Sequence, residues 1–245
     1  MISPLQSPLL AEIPWLEHGF GTRRDRPPED AILLRQIHSD LAWRDPRSDT
    51  PGDAHFTRRR GRRLAVRTAD CVPILMVDTR RRAVAAVHAG WRGTLARVAE
   101  KTLGEMRAAF STDPDDVRVA IGPSIRSCCY NVGEEVQAAF RSRFAYADEL
   151  FSAEEDDPVR NRYPAVFMTG APPGHPYDPR WNRHQPARLD LAQANARQLE
   201  EAGIVHVAVN ILDHCTACDR RRFYSHRRGD AGRMISTIAI VEKKV

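Results

Sequence analysis

Short runs of small and β-branched apolar residues alternate along this chain with stretches whose apolar positions recur every three or four residues. The first kind of pattern predicts buried strands, and the second predicts amphipathic helices. "RRLAVRTADCVPILMVD" reads as two short strands around a corner at Ala69-Asp70-Cys71, and "RAVAAVHAG" as a third. Gly90 and Gly93 bracket a turn. Beyond it, Leu95, Val98, Leu103, Met106 and Phe110 recur at helical spacing with charges between them. "DDVRVAIGPSI" predicts a strand ending in a Gly-Pro turn, and "NVGEEVQAAFRSRF" a helix. "RLDLAQANARQLEEAG" predicts an amphipathic helix stopped by Gly203. "IVHVAVNIL" and the closing "RMISTIAIVE" predict strands.

Helices and strands alternate, yet several strands follow one another directly. That order fits an α/β protein with a mixed sheet or stacked sheets flanked by helices better than a purely parallel sheet. The 245 residues, 42% of them hydrophobic, suffice for a single well-buried domain spanning 1–245. Within it the character changes between 154 and 186. That Pro-, Asp- and Arg-rich segment, which includes His175 and His184, reads as a long surface loop around a short strand at 165–168.

Charge adjusts this picture only slightly. The net charge is +5, with arginine far more common than lysine, which suits an anionic partner such as a phosphate-bearing molecule. The arginines are spread along the chain and no aromatic RNA-recognition motif is present, so a nucleic-acid partner is not expected. The start lacks a basic segment followed by an apolar run, and no stretch approaches the ~18 apolar residues of a membrane span. With five cysteines, an odd number, the expectation is a reduced, cytoplasmic protein that meets no membrane; the sequence leaves the oligomeric state open, with a monomer favoured.

The candidate chemistry lies at the ends of the predicted strands. Cys71 and His88 occupy matching ends of neighbouring apolar runs, and His38 ends another short run in "LLRQIHSD". Two imidazoles and a thiolate would give Zn²⁺ three ligands and leave one position open, as catalytic zinc requires. The same residues could instead form a Cys-His nucleophile dyad, or be structural core residues. His55 reads as a loop histidine. Cys215 and Cys218 form a C-x-x-C pair with no second such pair to complete it. Arg227, Arg228 and Arg233 flank glycines in a turn that suits bidentate anion binding. Arg92 at a predicted helix start, and the "IGPSIRS" turn with Ser124, are further anion candidates. No Walker A, dinucleotide or G-x-S-x-G motif occurs.

"RQIHSD", "GDAHFT", "LAVRTADCVPILMVD", "AAVHAGWRGT", "IGPSIRSCCYNVG", "LDLAQANARQL" and "FYSHRRGDAGR" resemble, in order, the motifs of the YfiH/LACC1 family, long labelled multicopper polyphenol oxidoreductase or laccase domain. The resemblance runs from about His18 to Ile240. It implies a four-layer α/β/β/α fold with mixed stacked sheets, similar to the catalytic domain of cytotoxic necrotising factor. It also implies a zinc-dependent purine nucleoside enzyme, which phosphorolyses adenosine, inosine and methylthioadenosine and deaminates adenosine. The zinc ligands implied are His38, Cys71 and His88. The sequence departs from the family pattern at Ser39, Asn131, Gly229-Asp230 and after Arg23, positions that bear on substrate preference.

Under this reading Asp70 is the nearest acid to shuttle protons in deamination, and Arg23, Arg92, Arg227 and Arg233, with Gln36 and Ser124, are the candidates for phosphate and substrate. The alternative is a Cys-His hydrolase or amidase acting on peptidoglycan precursors, with Cys71 as nucleophile and His88 as base. Copper oxidation ranks third. Nine histidines include no His-x-His pair, and Met76 falls on the opposite strand face from Cys71.

Overall fold

In the computed structural model, residues 4–26, 28–152 and 187–242 are described. They form two compact units, one of 1–126 with 191–245 and one of 127–190. The Pro-rich segment expected at 154–186, with its strand at 165–168 and His175 and His184, lies outside the described residues.

The larger unit opens with a short helix α1 (Pro8–Ala11) and strands β1 (Leu16–Phe20), β2 (Ala31–Leu33), β3 (Ala42–Arg44) and β4 (Ala54–Thr57). Then come β5 (Arg63–Thr68), β6 (Val72–Asp78) and β7 (Ala83–Ala89), which the apolar runs predict. Two sheets result. One has four strands in the order β1-β13-β5-β2, where β13 is Met234–Ile240. The other has six, in the order β12-β8-β6-β7-β4-β3, where β8 is Val117–Ile121 and β12 is Val209–Ile211. Both mix parallel and antiparallel pairs: β12 pairs parallel with β8, and β6 antiparallel with β7. The α/β class with stacked mixed sheets is therefore as expected.

Stacking explains why β6 and β7 read as unbroken apolar runs. Every residue in both is buried, because both faces of the sheet are covered. Leu75, Val77, Val84 and Ala86 meet Leu64, Val66, Ile238 and Phe20 of the four-stranded sheet in one core cluster. The other face is covered by α3 (Val98–Phe110), which packs against β7 and β4. Val98, Leu103, Met106 and Phe110 of its helical stripe are buried.

Two local expectations need correcting. The helix after Gly93 is not continuous: α2 (Trp91–Leu95) ends, and Arg97 takes φ +63° before α3 begins. The strand predicted over "IVHVAVNIL" is shortened to β12, with a 3₁₀ turn at His206–Ala208 before it. There Val207 is 84% exposed, so its apolar character does not mark a buried strand.

The helix α5 (Leu191–Glu201) pins α2. Buried Asn195 donates to Thr94 Oγ1 at 2.9 Å, and Gln198 donates to the Thr94 carbonyl at 2.9 Å. The smaller unit holds β9 (Asn131–Val132), α4 (Glu134–Arg143), β10 (Phe151–Ser152) and β11 (Ala187–Leu189), with the strands in the order β10-β11-β9. No helix among the described residues is long and apolar enough to cross a membrane.

Candidate active site

β6 and β7 run antiparallel with Pro73 opposite His88, so Cys71, just before β6, lies beside the end of β7. The corner that presents Cys71 is tight, with Asp70 at φ +87°. The Asp70 carboxylate holds that strained conformation in place. It accepts hydrogen bonds from Thr216 Oγ1 (2.6 Å), Ser225 Oγ (3.0 Å) and the Arg227 amide (2.7 Å).

His38 arrives from the loop between β2 and β3, itself at φ +59°. The ligating atoms of His38, Cys71 and His88 all lie within 4.8 Å of one another, and Cys71 Sγ is 4.0 Å from His38 Nε2. The two imidazoles meet edge to face at 5.0 Å. Gly90 closes the floor. A Cβ there would stand 3.0 Å from Cys71 Sγ and 3.0 Å from His38 Cδ2, so only glycine leaves both side chains where they are.

A carboxylate that sequence reasoning missed organises the trio. Asp53, fully buried, accepts from His88 Nδ1 at 2.8 Å. It also accepts from the amides of Ile37 (3.3 Å), His38 (3.0 Å) and Ser39 (2.6 Å), and from Ser39 Oγ (2.7 Å). One side chain thus orients the His88 ring and the loop that carries His38. Its signal in the sequence is the Gly-Asp-Ala preceding β4, where an aspartate borders an apolar run.

The electrostatics follow from this packing. Burial alone would push the Asp53 carboxyl up, but hydrogen bonds from His88 and Ser39 bring it down to about 2. Burial disfavours a charged His88, yet Asp53 and then Cys71 outweigh it and raise the imidazole to about 9. Burial likewise opposes ionisation of Cys71, and the bonds and charges of His38 and His88 overcome it, lowering the thiol to about 6. Both shifts run in the direction of a thiolate–imidazolium pair in the metal-free protein.

The trio sits in a cavity of about 510 Å³. Arg35, Arg67 and Arg233 line it, with Gln36 and His226, and no carboxylate is among its described lining residues. Both ends of the Gln36 amide are taken by the Arg67 backbone at 2.8 Å, so Gln36 sets the position of Arg67. Nη1 of Arg233 donates to the carbonyls of Asp230, Ala231 and Gly232, leaving its remaining N–H groups for a ligand.

Of the residues singled out from sequence, Gln36, His38, Cys71, His88 and Arg233 line this cavity, whereas Asp70, Arg23, Arg92, Arg227 and Ser124 do not. Arg23 stacks on Tyr224 at 4.7 Å, and Arg92 lies over Trp91 at 4.4 Å. Ser124 is fully buried beside the 214–216 segment, bridging Cys215. His55 is fully buried, with Nε2 3.1 Å from the Ala65 carbonyl, so it is neither a loop residue nor a cavity residue. Met76 is fully buried in β6 and does not line the cavity.

A protein named purine nucleoside phosphorylase from Bacteroides thetaiotaomicron is 35% identical over 190 residues, covering 77% of this chain and 60% of that protein. A protein named adenosine deaminase RL5, from an unknown prokaryotic organism, is 38% identical over 178 residues, 72% of this chain and 56% of that protein. The chain thus spans less than two thirds of both of these relatives. The crystal structure of the Bacillus licheniformis hypothetical protein YfiH superposes with a TM-score of 0.75 at 25% identity, covering 94% of each chain. The family model described as multi-copper polyphenol oxidoreductase laccase matches residues 20–241, and the chain belongs to that family.

Proposed function

We infer that this protein is a zinc-dependent purine nucleoside phosphorylase. The observation that carries the reading is a three-donor cluster of two histidines and a cysteine on the floor of a cavity whose charged lining residues are arginines. The names of the relatives supply the substrate class.

The donors fit zinc. Ligands held at about 2.0–2.3 Å on a tetrahedron stand roughly 3.3–3.8 Å apart, and the trio reaches that spacing with shifts of under about 1 Å. His88 has its other nitrogen on Asp53, the carboxylate–histidine arrangement that fixes ring orientation in metal sites. Bound zinc would supply Lewis acidity at one open position.

The chain's own groups do the rest. Arg35, Arg67 and Arg233 hold the phosphate dianion and orient one of its oxygens toward the anomeric carbon of the ribose. As that C–O bond forms, the glycosidic C–N bond breaks and the purine leaves with its electron pair, taking up the proton that the hydrogen phosphate gives up on becoming the sugar ester. The arginines among the described lining residues suit a phosphate, and this favours phosphorolysis as the leading reading over adenosine deamination. Asp70, with three donors on its carboxylate, acts as a positioning residue for the Cys71 corner.

The test is to supply zinc-loaded protein with inosine or adenosine, with and without phosphate. Phosphate-dependent release of hypoxanthine or adenine, lost in Cys71→Ala, is expected. Release of ammonia and inosine from adenosine without phosphate would establish the deaminase instead. Identical behaviour of wild type and Cys71→Ala would refute both.

A second reading rests on one specific observation. Cys71, His88 and Asp53 also form a nucleophile–base–orienter line with an acidified thiol, as a cysteine hydrolase or amidase acting on peptidoglycan precursors would need. Rapid alkylation of Cys71 in protein that carries no stoichiometric metal would favour it.

A further inference from the structure

At the far end of the same strands lies a second concave site. Cys71 precedes β6 and His88 falls near the end of β7, whereas the turn after β6 and the turn after β4 lie at the opposite end of these strands. Seven residues of strand separate the two ends, roughly 20 Å. Both turns are runs of three arginines, Arg58–Arg60 and Arg80–Arg82. Scattered in the sequence, they converge here. Arg58, Arg60, Arg80, Arg81 and Arg82 line a cavity of about 450 Å³ with Trp15 in its apolar wall.

The arginines are arranged by specific contacts. Arg58 Nε donates to the Arg81 carbonyl at 2.9 Å, tying one turn to the other. The buried Asp78 accepts from the amides of Arg80 (3.0 Å) and Arg81 (2.7 Å), shaping the second turn. The Arg82 guanidinium stands 5.7 Å from the Trp15 ring.

Counter-charge is sparse. Arg60 pairs with Glu242 at 2.8 Å, but both side chains are more than half exposed. Arg80 is 3.8 Å from Asp116, with the arginine 74% exposed. Neither pair removes much charge in high dielectric. Arg58, Arg81 and Arg82 pair with no carboxylate among the described residues. Five guanidinium groups around one concavity repel each other, and a bound polyanion relieves that repulsion.

We propose that this cavity is a binding site for a small molecule carrying a chain of two or more phosphates, a nucleoside diphosphate or triphosphate in chemical class. One phosphate is saturated by two or three guanidinium groups, so five imply a longer chain. The volume lies within the range of small-molecule sites, and a concave pocket with an apolar wall is a poorer match to a nucleic-acid backbone, which is tracked by an extended groove. Trp15 offers a surface for a base.

Calorimetric titration of the purified protein with inorganic triphosphate, ATP and inorganic phosphate tests this. Triphosphate should bind once per chain, at least tenfold tighter than phosphate, and weaken as salt rises. The double variant Arg81→Ser/Arg82→Ser, at exposed positions, should lose at least tenfold in triphosphate affinity while its nucleoside turnover stays at the wild-type rate. Arg80→Ser should give a smaller loss in the same direction. Arg233→Ser, in the catalytic cavity, should leave triphosphate binding within twofold. ATP binding tighter than triphosphate would assign Trp15 to the base, and equal binding would assign the site to the phosphate chain alone. The proposal is overturned by absence of binding, by equal affinity for phosphate and triphosphate, by a loss confined to Arg233→Ser, or by binding of single-stranded RNA alone.

Discussion

Replacing Asp53 by asparagine removes one charge and one acceptor from the point where the site is held together. Its two carboxylate oxygens take five hydrogen bonds, from Ile37, His38, Ser39 (twice) and His88. An amide has one oxygen. If that oxygen keeps the Ser39 and Ile37 contacts, the NH₂ group faces the His38 amide and His88 Nδ1. The His38 N–H is then left without an acceptor, at about 1–3 kcal/mol. His88 can answer only by switching tautomer, so that Nδ1 accepts and Nε2 carries the proton. Nε2 is the nitrogen turned toward Cys71, and once protonated it cannot ligate. Metal affinity should fall roughly 10–100-fold, about 1.4–2.7 kcal/mol. Competition with a chromophoric zinc chelator measures this loss, and thermal unfolding of the metal-free protein measures the structural cost separately. An Asp53→Asn protein that melts lower yet binds zinc within twofold of wild type would refute the argument that Asp53 controls the ligand tautomer.

Three further outcomes are expected. In metal-free protein the rate of Cys71 alkylation should rise through about pH 6, and in Asp53→Asn this midpoint should move up, because the variant no longer holds His88 cationic beside the thiolate; iodoacetamide kinetics against pH would show it, and an unmoved midpoint would oppose it. Burial holds His18 down at about 4 and His55 at about 3, below the ordinary 6.5, and at His55 the Ala65 carbonyl only partly offsets it. The unfolded chain therefore binds more protons below pH 6.5, so this contribution is complete above that pH and is lost on acidification toward 4 and then 3, at up to about 1.4 kcal/mol per histidine per pH unit; urea midpoints that stay constant from pH 7 to 4 would contradict it. Gly90→Ala, which touches no ligand bond directly, should lower turnover at least tenfold by displacing Cys71 or His38 while shifting the melting temperature only slightly, and a fully active variant would show that the 3.0 Å approach can relax.

The apolar runs alone determined β5, β6, β7, β8 and β13, and the record is unbroken in β6 and β7, which are covered on both faces. The residue types at their ends also marked His38, Cys71 and His88 as a donor set, since few other side chains ligate zinc through nitrogen or sulfur. The N-terminal strands β1–β4 left a weaker signal, being short, three to five residues each, and partly exposed in β2 and β3. Tertiary structure alone decided which polar groups face the cavity. Asp53 is far from His88 in sequence and meets it only because β4 pairs with β7, with Ala54 opposite Val87. Arg35 and Arg67 enter the cavity for the same kind of reason, through the parallel pairing of β2 with β5, whereas Arg92 and Arg227, beside conspicuous motifs, turn elsewhere. The two arginine runs likewise read as scattered surface charge until adjacent strand turns brought them to one concavity. A side chain's type is written locally, but its neighbours are set by strand register, which depends on residues distant along the chain.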